Sequence, residues 1–252
     1  MGINFTVLSK EEDMAEKQID DACKYMAKTN ECYALVIEKE TFDTYTLQNK
    51  VDNGLSLSRE EAIETAVSCL QGNAVVVSTT GMISRELFEI RERRGEGHSL
   101  DFLTVGSMGH ASQIALGISL QQPWRPVCCF DGDGACIMHM GNMAITAQMQ
   151  PKNFIHIVFN NGAHDSVGGQ PTVGLKIDLP AVAKAVGYKQ VFSVDNKGDF
   201  RSVLASIISH LSSEGATFIE VKVKKGNRKD LGRPTTTPIQ NKEALMKFLE
   251  EK

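Results

Sequence analysis

The chain has 252 residues, 42% of them hydrophobic and 23% charged, and a formal net charge of -4. This composition is typical of a soluble globular protein with a substantial core, and the net charge argues against a nucleic-acid partner. The sequence contains no apolar run of the ~20 residues that a membrane span needs, and residues 1–20 lack an apolar signal-peptide segment. The six cysteines include no C-x-x-C pair, which favours a reduced, cytoplasmic protein.

The first 53 residues predict a small structured segment followed by a connection. Apolar positions recur among charged ones over residues 10–28, which indicates an amphipathic helix. The apolar run at 33–37 predicts a strand, and the polar stretch 38–53 has no periodicity and predicts a linker.

The rest of the chain alternates between apolar runs and helical patterns. Ser58 and Glu61 have the spacing of a capping box, and Ser84 is predicted to cap a later helix. Strands are predicted at residues 74–78, 102–105, 127–130, 154–161, 189–194 and 217–223. Helices are predicted at residues 59–70, 84 onward, 111–120, 135–150, 179–186, 199–212 and 241–250. This alternation predicts an α/β fold with a doubly wound parallel sheet.

The most informative motif lies where the predicted strand at 127–130 ends. It reads Gly132-Asp133-Gly134, and residues 135–159 separate it from Asn160-Asn161 after the next strand. The glycines allow backbone N–H groups to approach a phosphate, while the carboxylate and amide oxygens suit a divalent cation. These residue types therefore predict a magnesium–diphosphate site.

Three other interpretations of the motif are a plain turn, a calcium loop and a dinucleotide-binding turn. The plain turn would be favoured without the Asn pair. An EF-hand that began at Asp131 would need an oxygen-bearing side chain at its fifth position and Glu at its twelfth, where Ala135 and Asn142 stand. A dinucleotide-binding turn would need a third glycine where Ile137 stands.

The Gly-Asp-Gly and Asn-Asn pair, at this spacing, resembles the signature of thiamine-diphosphate enzymes. Residues 78–88, 101–111 and 160–172 are similar to the phosphonopyruvate decarboxylases of that family, with sulfopyruvate decarboxylases as close relatives. Both remove CO₂ from an anionic 3-substituted pyruvate. The resemblance implies thiamine diphosphate and Mg²⁺ as cofactors and a small 2-oxo acid as substrate.

The resemblance also implies roles for individual residues. It implies Mg²⁺ ligands at Asp133, Asn161 and the carbonyl of Ala163. It implies cofactor contacts at Thr79, Thr80, Gly81, Gly106, Ser107, Met108, Gly132, Gly134 and Ala135. Among these, the Gly106 carbonyl would accept from the aminopyrimidine, and Met108 would be the apolar wedge that bends the cofactor.

Several polar residues beside the motifs keep two interpretations. His110, His164 and Asp165 are candidate catalytic residues for proton transfer or substrate contact, or they support the site through hydrogen bonds. Arg85 would pair with a phosphonate, or cap a helix or meet a surface acid. Asp131 is expected to be structural.

The resemblance further implies a second half of the active site. In the family, a pyrimidine-binding domain supplies a Glu that activates the cofactor. We expect residues 1–45 to be a remnant of the end of that domain, 46–55 a linker and 56–252 the diphosphate-binding domain. Glu11, Glu12 and Glu16 do not match the Glu's context, so the segment that carries it is expected to precede Met1. The chain is therefore expected to form a homo-oligomer or to pair with a pyrimidine-domain chain, unless it is a non-catalytic binding module.

Overall fold

A computed structural model describes residues 2–43, 45, 52–70, 72–209 and 215–250. The chain divides into two compact units, Met1–Val51 and Asp52–Lys252. The linker predicted at 46–55 falls largely on residues 46–51, which lie outside the described residues. No helix in the described ranges is long and apolar enough to cross a membrane.

The first unit is a βαβ unit. It consists of β1 (Asn4–Val7), α1 (Glu12–Thr29) and β2 (Tyr33–Val36), and the two strands pair in parallel. The predicted helix and second strand are confirmed, whereas β1 was missed because four residues with two polar side chains give no strand signal. Phe5 is 63% exposed and Val36 is 42% exposed, so apolar side chains of this sheet remain accessible in the described structure.

The second unit is built on a six-stranded parallel sheet with the order β4-β3-β5-β6-β10-β9. A separate antiparallel pair of two-residue strands, β7 and β8, lies in the loop after β6. The strands are β3 (Val75–Ser78), β4 (Asp101–Leu103), β5 (Val127–Gly132), β6 (Phe154–Asn160), β7 (Ala163–His164), β8 (Gln170–Pro171), β9 (Gln190–Val194) and β10 (Thr217–Lys222). The residues of β3 and β6 are all buried, as expected for strands covered on both faces.

Helices cover both faces of this sheet. They are α2 (Arg59–Cys69), α3 (Met82–Arg93), α4 (Ala111–Gln121), α5 (Asp133–Met138), α6 (Gly141–Met149), α7 (Leu179–Val186), α8 (Lys197–Ser209) and α9 (Pro238–Glu250). One core contains Ile63, Leu87 and Phe200 from α2, α3 and α8. The other contains Met143 and Leu245, from α6 and α9. The prediction of a doubly wound α/β sheet is confirmed.

The strand order reverses between β3 and β5. From β3 the chain crosses to β4 on one side, and from β5 it crosses to β6 on the other. Ligands of open α/β sheets bind at the carboxyl ends of the strands where the order reverses. Thr79 directly follows β3 and Asp133 directly follows β5, so the topology brings both predicted site segments to this point.

Two predictions for the helices fail, and α8 and α9 begin two and three residues earlier than predicted, at Lys197 and Pro238. The helix predicted at 135–150 is two helices, because His139 leaves the helical conformation with φ -129° and ψ 51°. The side-chain amide of Asn142 then donates to the Gly109 carbonyl at 2.9 Å, which packs the preceding loop onto the break. Ser84 does not cap α3, since the helix begins at Met82 and the Ser84 hydroxyl donates back to the Thr79 carbonyl at 2.6 Å. The capping box of Ser58 and Glu61 is confirmed.

Candidate functional site

A cavity of about 60 Å³ lies at the carboxyl ends of β3, β5 and β6. This exceeds the roughly 10–15 Å³ that one water needs, so the space admits a cation with its oxygen ligands but is too small to enclose a two-ring cofactor. Eleven of the site residues predicted from the sequence line this cavity. They are Thr79, Thr80, Met108, Gly132, Asp133, Gly134, Ala135, Asn161, Ala163, His164 and Asp165. Gly81, Gly106, Ser107 and His110 are not among its lining residues.

Among the described residues, Asp133 is one of two carboxylates that line this cavity, the other being Asp165. It is 2% exposed, and its Oδ2 accepts a short hydrogen bond from the Thr172 hydroxyl. Burial raises the pKa of the Asp133 carboxyl, while the Thr172 hydroxyl and the backbone N–H groups of Asn161 and Gly134 oppose the rise. A nearby cation would favour the ionised form further. The position suits a cation ligand.

The two asparagines after β6 have different partners. Asn160 is fully buried, and its amide donates to the Gly174 carbonyl and to Glu220, both at 2.8 Å. Asn161 lines the cavity; its Nδ2 donates to Asp165 at 2.7 Å and its Oδ1 accepts from the Ala163 N–H at 3.0 Å. Asn160 therefore fastens the loop, and Asn161 presents an amide to the cavity.

The turn after β3 supplies hydroxyl groups. Thr79 is 4% exposed, lines the cavity, and has a hydroxyl oxygen without a hydrogen-bond partner among the described residues. Buried polar groups are normally satisfied, so this hydroxyl is available to a ligand. The Thr80 hydroxyl accepts from the Gly106 N–H at 3.4 Å, which joins this turn to the loop before α4.

The loop 106–110 contributes one residue to the cavity. Gly106 and Ser107 both have positive φ, 72° and 43°, a strained conformation for the serine. The Met108 side chain lines the cavity, and its Cε lies 3.4 Å from where a Cβ on Gly134 would stand. His110 is instead exposed and packs on His139, with the ring centroids 4.4 Å apart.

His164 and Asp165 reach the cavity from the loop after β6. The His164 ring covers Gly134 so closely that any side chain at Gly134 would overlap it. Asp165 is fixed by partners on both sides, since its Oδ2 accepts from Arg59 at 2.9 Å and from Asn161 at 2.7 Å. Asp131, expected to be structural, bonds to the Gly132 N–H at 3.0 Å and to His156 at 3.3 Å.

Sequence reasoning missed Arg59 and Glu86. Arg59 lines the cavity and makes two bonds to Glu86, Nε–Oε2 at 2.8 Å and Nη2–Oε1 at 2.9 Å. Their side chains are only 5% and 2% exposed. In the sequence both residues lie in charged helical stretches that look like solvated faces. No local sequence signal identifies the pair, because α2 and α3 are brought together only by the fold.

The sequence comparison decides the family. Residues 79–221 match the family model described as the thiamine pyrophosphate enzyme, C-terminal TPP binding domain. The chain belongs to the thiamine pyrophosphate enzymes. The matched segment runs from Thr79 to Val221 in β10 and so contains most of the cavity's lining residues.

The relatives place the chain more closely within these thiamine pyrophosphate enzymes. It is 40% identical over 183 residues to phosphonopyruvate decarboxylase of Streptomyces viridochromogenes, covering 73% of this chain and 44% of that protein. It is 35% identical over 173 residues to the sulfopyruvate decarboxylase subunit beta of Methanothermobacter thermautotrophicus, covering 69% and 85%. The chain thus spans less than half the length of the phosphonopyruvate decarboxylases it matches.

The fold agrees with solved thiamine pyrophosphate enzymes. Benzoylformate decarboxylase from Polynucleobacter necessarius superposes with a TM-score of 0.59 at 17% identity, covering 90% of this chain and 45% of that one. A thiamine diphosphate-dependent 4-hydroxybenzoylformate decarboxylase of Rhodococcus jostii gives a TM-score of 0.54 over 84% of this chain and 40% of the other. At these identities the likeness establishes the fold.

The residues of the cavity fit the family's cofactor. A buried carboxylate, a buried amide and a hydroxyl without a partner among the described residues are the donor and acceptor types that a divalent cation and a diphosphate require. Gly132 and Gly134 also line the cavity. The cavity therefore suits the diphosphate end of the cofactor, and the remainder of the cofactor would extend beyond it.

Proposed function

We propose that the chain is the diphosphate-binding half of a decarboxylase that converts 3-phosphonopyruvate to phosphonoacetaldehyde and CO₂ with thiamine diphosphate and Mg²⁺. The observation that carries the proposal is the cavity itself, which gathers Asp133, Asn161, Ala163 and the unpartnered Thr79 hydroxyl at the strand-order reversal. The 40% identity to a phosphonopyruvate decarboxylase supports the choice of substrate.

The proposed metal ligands are Asp133, Asn161 and the carbonyl of Ala163. The carboxylate supplies the negative charge of this set, and its burial strengthens the attraction for a divalent cation. The diphosphate is then held through the cation, the backbone of Gly134 and Ala135, and the turn Thr79–Gly81. Gly106, Ser107 and Met108 are proposed to face the remainder of the cofactor.

The reaction breaks the bond between C1 and C2 of the 2-oxo acid and leaves the electron pair on C2. Thiamine diphosphate supplies an electron sink for that pair. A proton then has to reach C2 before the aldehyde leaves. His164 is the proposed proton carrier of this chain, because its imidazole lies against Gly134 on the cavity wall. His110 is exposed, so we propose for it the other candidate role, contact with the anionic head of the substrate.

A pyrimidine-binding half is proposed to come from another chain. The relative of which this chain covers 85% is named as a beta subunit, which supports pairing with a second subunit. The exposed apolar side chains of β1 and β2, including Phe5 and Val36, are available for such a partner. Self-association is the other arrangement that we propose to test.

The second candidate is a sulfopyruvate decarboxylase subunit. It is favoured by the match to nearly the full length of that beta subunit. Phosphonate and sulfonate are both tetrahedral anions, and Arg85, Arg233 and Thr80 are among the residues that line a neighbouring cavity of about 340 Å³. A guanidinium in that cavity would bind either head group.

Binding of the cofactor is the first test. Calorimetry with thiamine diphosphate should give weak binding to the chain alone, and only when Mg²⁺ is present. Asp133→Ala should abolish it, because the cation loses its one charged ligand in the proposed set. Asp230→Ala, which removes an exposed carboxylate outside the cavity, serves as the control. Metal-independent binding that survives Asp133→Ala would contradict the proposed site.

Turnover is the second test. Both 3-phosphonopyruvate and sulfopyruvate are assayed with the chain alone and with an added chain that carries a pyrimidine-binding domain. We expect no measurable CO₂ release by the chain alone, since loss of a general acid–base group costs about 10²–10⁴-fold and lost orientation adds to this. Activity at an ordinary enzymatic rate without the second chain would place the activating acid within residues 1–252.

A further inference from the structure

One carboxylate oxygen of Asp165 accepts three hydrogen bonds. Its Oδ2 accepts from Nδ2 of Asn161 at 2.7 Å, from Nη1 of Arg59 at 2.9 Å and from the Gly226 N–H at 3.0 Å. The Asp165 side chain is 8% exposed. A buried carboxylate needs a charged or hydrogen-bonded partner, and Arg59 supplies the charge.

These contacts decide which way the Asn161 amide points. A carboxylate accepts hydrogen bonds and donates none, so the end of the amide that faces Asp165 is the NH₂ group. The oxygen then lies at the opposite end, where it accepts from the Ala163 N–H at 3.0 Å. A carbonyl oxygen has a second lone pair, and both Asn161 and Ala163 line the cavity. An inverted amide would instead place two N–H hydrogens where a cation needs an oxygen.

The support continues into two helices. Arg59, from α2, is held by its two bonds to Glu86 of α3 while its third nitrogen reaches Asp165. Its guanidinium has a fixed planar geometry, so the position of the Asp165 carboxylate follows from the packing of α2 against α3. None of these three side chains reaches solvent to a significant extent.

We propose that Asp165 and Arg59 are positioning residues that turn the oxygen of Asn161 toward the cation. The inference rests on the proposed function, in which Asn161 is a metal ligand. It favours the second of the two interpretations of Asp165, support of the site through hydrogen bonds, over proton transfer or substrate contact. Partners behind a metal ligand typically change metal affinity by about 10–100-fold.

The test measures Mn²⁺ binding by electron paramagnetic resonance in the presence of excess thiamine diphosphate. Asp165→Ala frees the Asn161 amide and should weaken Mn²⁺ binding by about 10–100-fold. Asp165→Asn should recover part of that loss, because an amide oxygen can occupy the Oδ2 position and its two lone pairs can still accept from Asn161 and Arg59. Asp101→Ala is the matched control, since Asp101 is also buried and makes two bonds to a buried arginine, Arg91, away from the cavity.

A second measurement needs no metal. In ¹⁵N-labelled, metal-free protein, the side-chain NH₂ signals of Asn161 should exchange slowly with water, and Asp165→Ala but not Asp101→Ala should accelerate the exchange. Equal Mn²⁺ affinity in wild type and Asp165→Ala overturns the inference. If wild type binds no Mn²⁺, the proposed function fails, and the NH₂ exchange still decides the orientation. The inference is also overturned if the Asn161 NH₂ group exchanges rapidly in wild type and Asp165→Ala leaves its exchange rate unchanged.

Discussion

Gly174 lies directly against the carboxylate of Asp133. A methyl group at Gly174 would overlap Oδ2 of Asp133 and would stand 2.7 Å from both the Cβ of Asp133 and Oδ1 of Asn160. The loop after β6 therefore closes over the predicted metal ligand with no room for a side chain.

Gly174→Ala should displace the Asp133 carboxylate and weaken binding of thiamine diphosphate with Mg²⁺. Overpacking of a filled site typically costs about 1–3 kcal/mol, so we expect a lower free energy of unfolding as well. Calorimetry and urea denaturation measure the two effects. Gly117→Ala is the control, because nothing lies within 4 Å of a Cβ at that exposed position of α4. Unchanged binding in Gly174→Ala would contradict the prediction, because it would show that the loop moves away and leaves the Asp133 carboxylate in place.

The buried pair Arg59–Glu86 should be strongly coupled. Burial raises the pKa of Glu86, and the charge of Arg59 opposes that rise. Arg59→Leu or Glu86→Leu alone leaves a buried charge without its main partner, which costs about 3–5 kcal/mol. The double variant removes both groups and should lose less stability than the two single losses together. Urea denaturation of all four proteins gives the coupling, and simple additivity would contradict it.

The buried cysteines should be chemically silent. Burial raises the pKa of Cys128 to about 12 and that of Cys129 well above its usual value. At pH 8 both thiols therefore stay protonated, and the thiolate is the reactive form. Cys23 and Cys32 are exposed and unpaired. Iodoacetamide followed by mass spectrometry should modify these two first, and Cys128 and Cys129 only after denaturation. Rapid native labelling of Cys129 would be inconsistent with its burial.

Self-association is expected through residues 106–120 and 135–150. Three large apolar side chains in the second range are exposed by half or more: Met138 at 54%, Ile145 at 56% and Met149 at 51%. Ile145→Glu should lower the association constant by introducing a charge into this surface. Sedimentation at high micromolar concentration measures the change, and Ile239→Glu, at a 65% exposed position on α9, is the control. A strict monomer in wild type would remove the basis of the prediction.

The sequence predicted the sheet well because its central strands are buried on both faces. Such strands read as continuous apolar runs, and β5 and β6 also end in the polar residues of the motif. The spacing of the motif led to Asp133 and Asn161, which the structure does bring to one cavity. The roles of these residues stay predictions until binding is measured.

Interactions between distant segments could not be predicted. Arg59 and Glu86 are 27 residues apart, and nothing in either helix indicates that the two side chains share a buried pair. Arg59 and Asp165 are 106 residues apart. The break between α5 and α6 depends on contacts with the loop at Gly109, which a local helical pattern does not contain. His110 lies in the predicted motif, but tertiary packing turns it to the surface.

The buried amide of Asn160 has a consequence for redesign. It accepts from the Gly162 N–H at 3.2 Å at one end of the loop and donates to the Gly174 carbonyl at 2.8 Å at the other. The ends of the loop are therefore fixed independently of its tip, where Val167 is 66% exposed and two glycines follow. Insertions of different length at 167–169 would change the tip of the loop while its ends at Gly162 and Gly174 stay bonded to Asn160, so the length of the tip can be varied without moving the residues that anchor the loop.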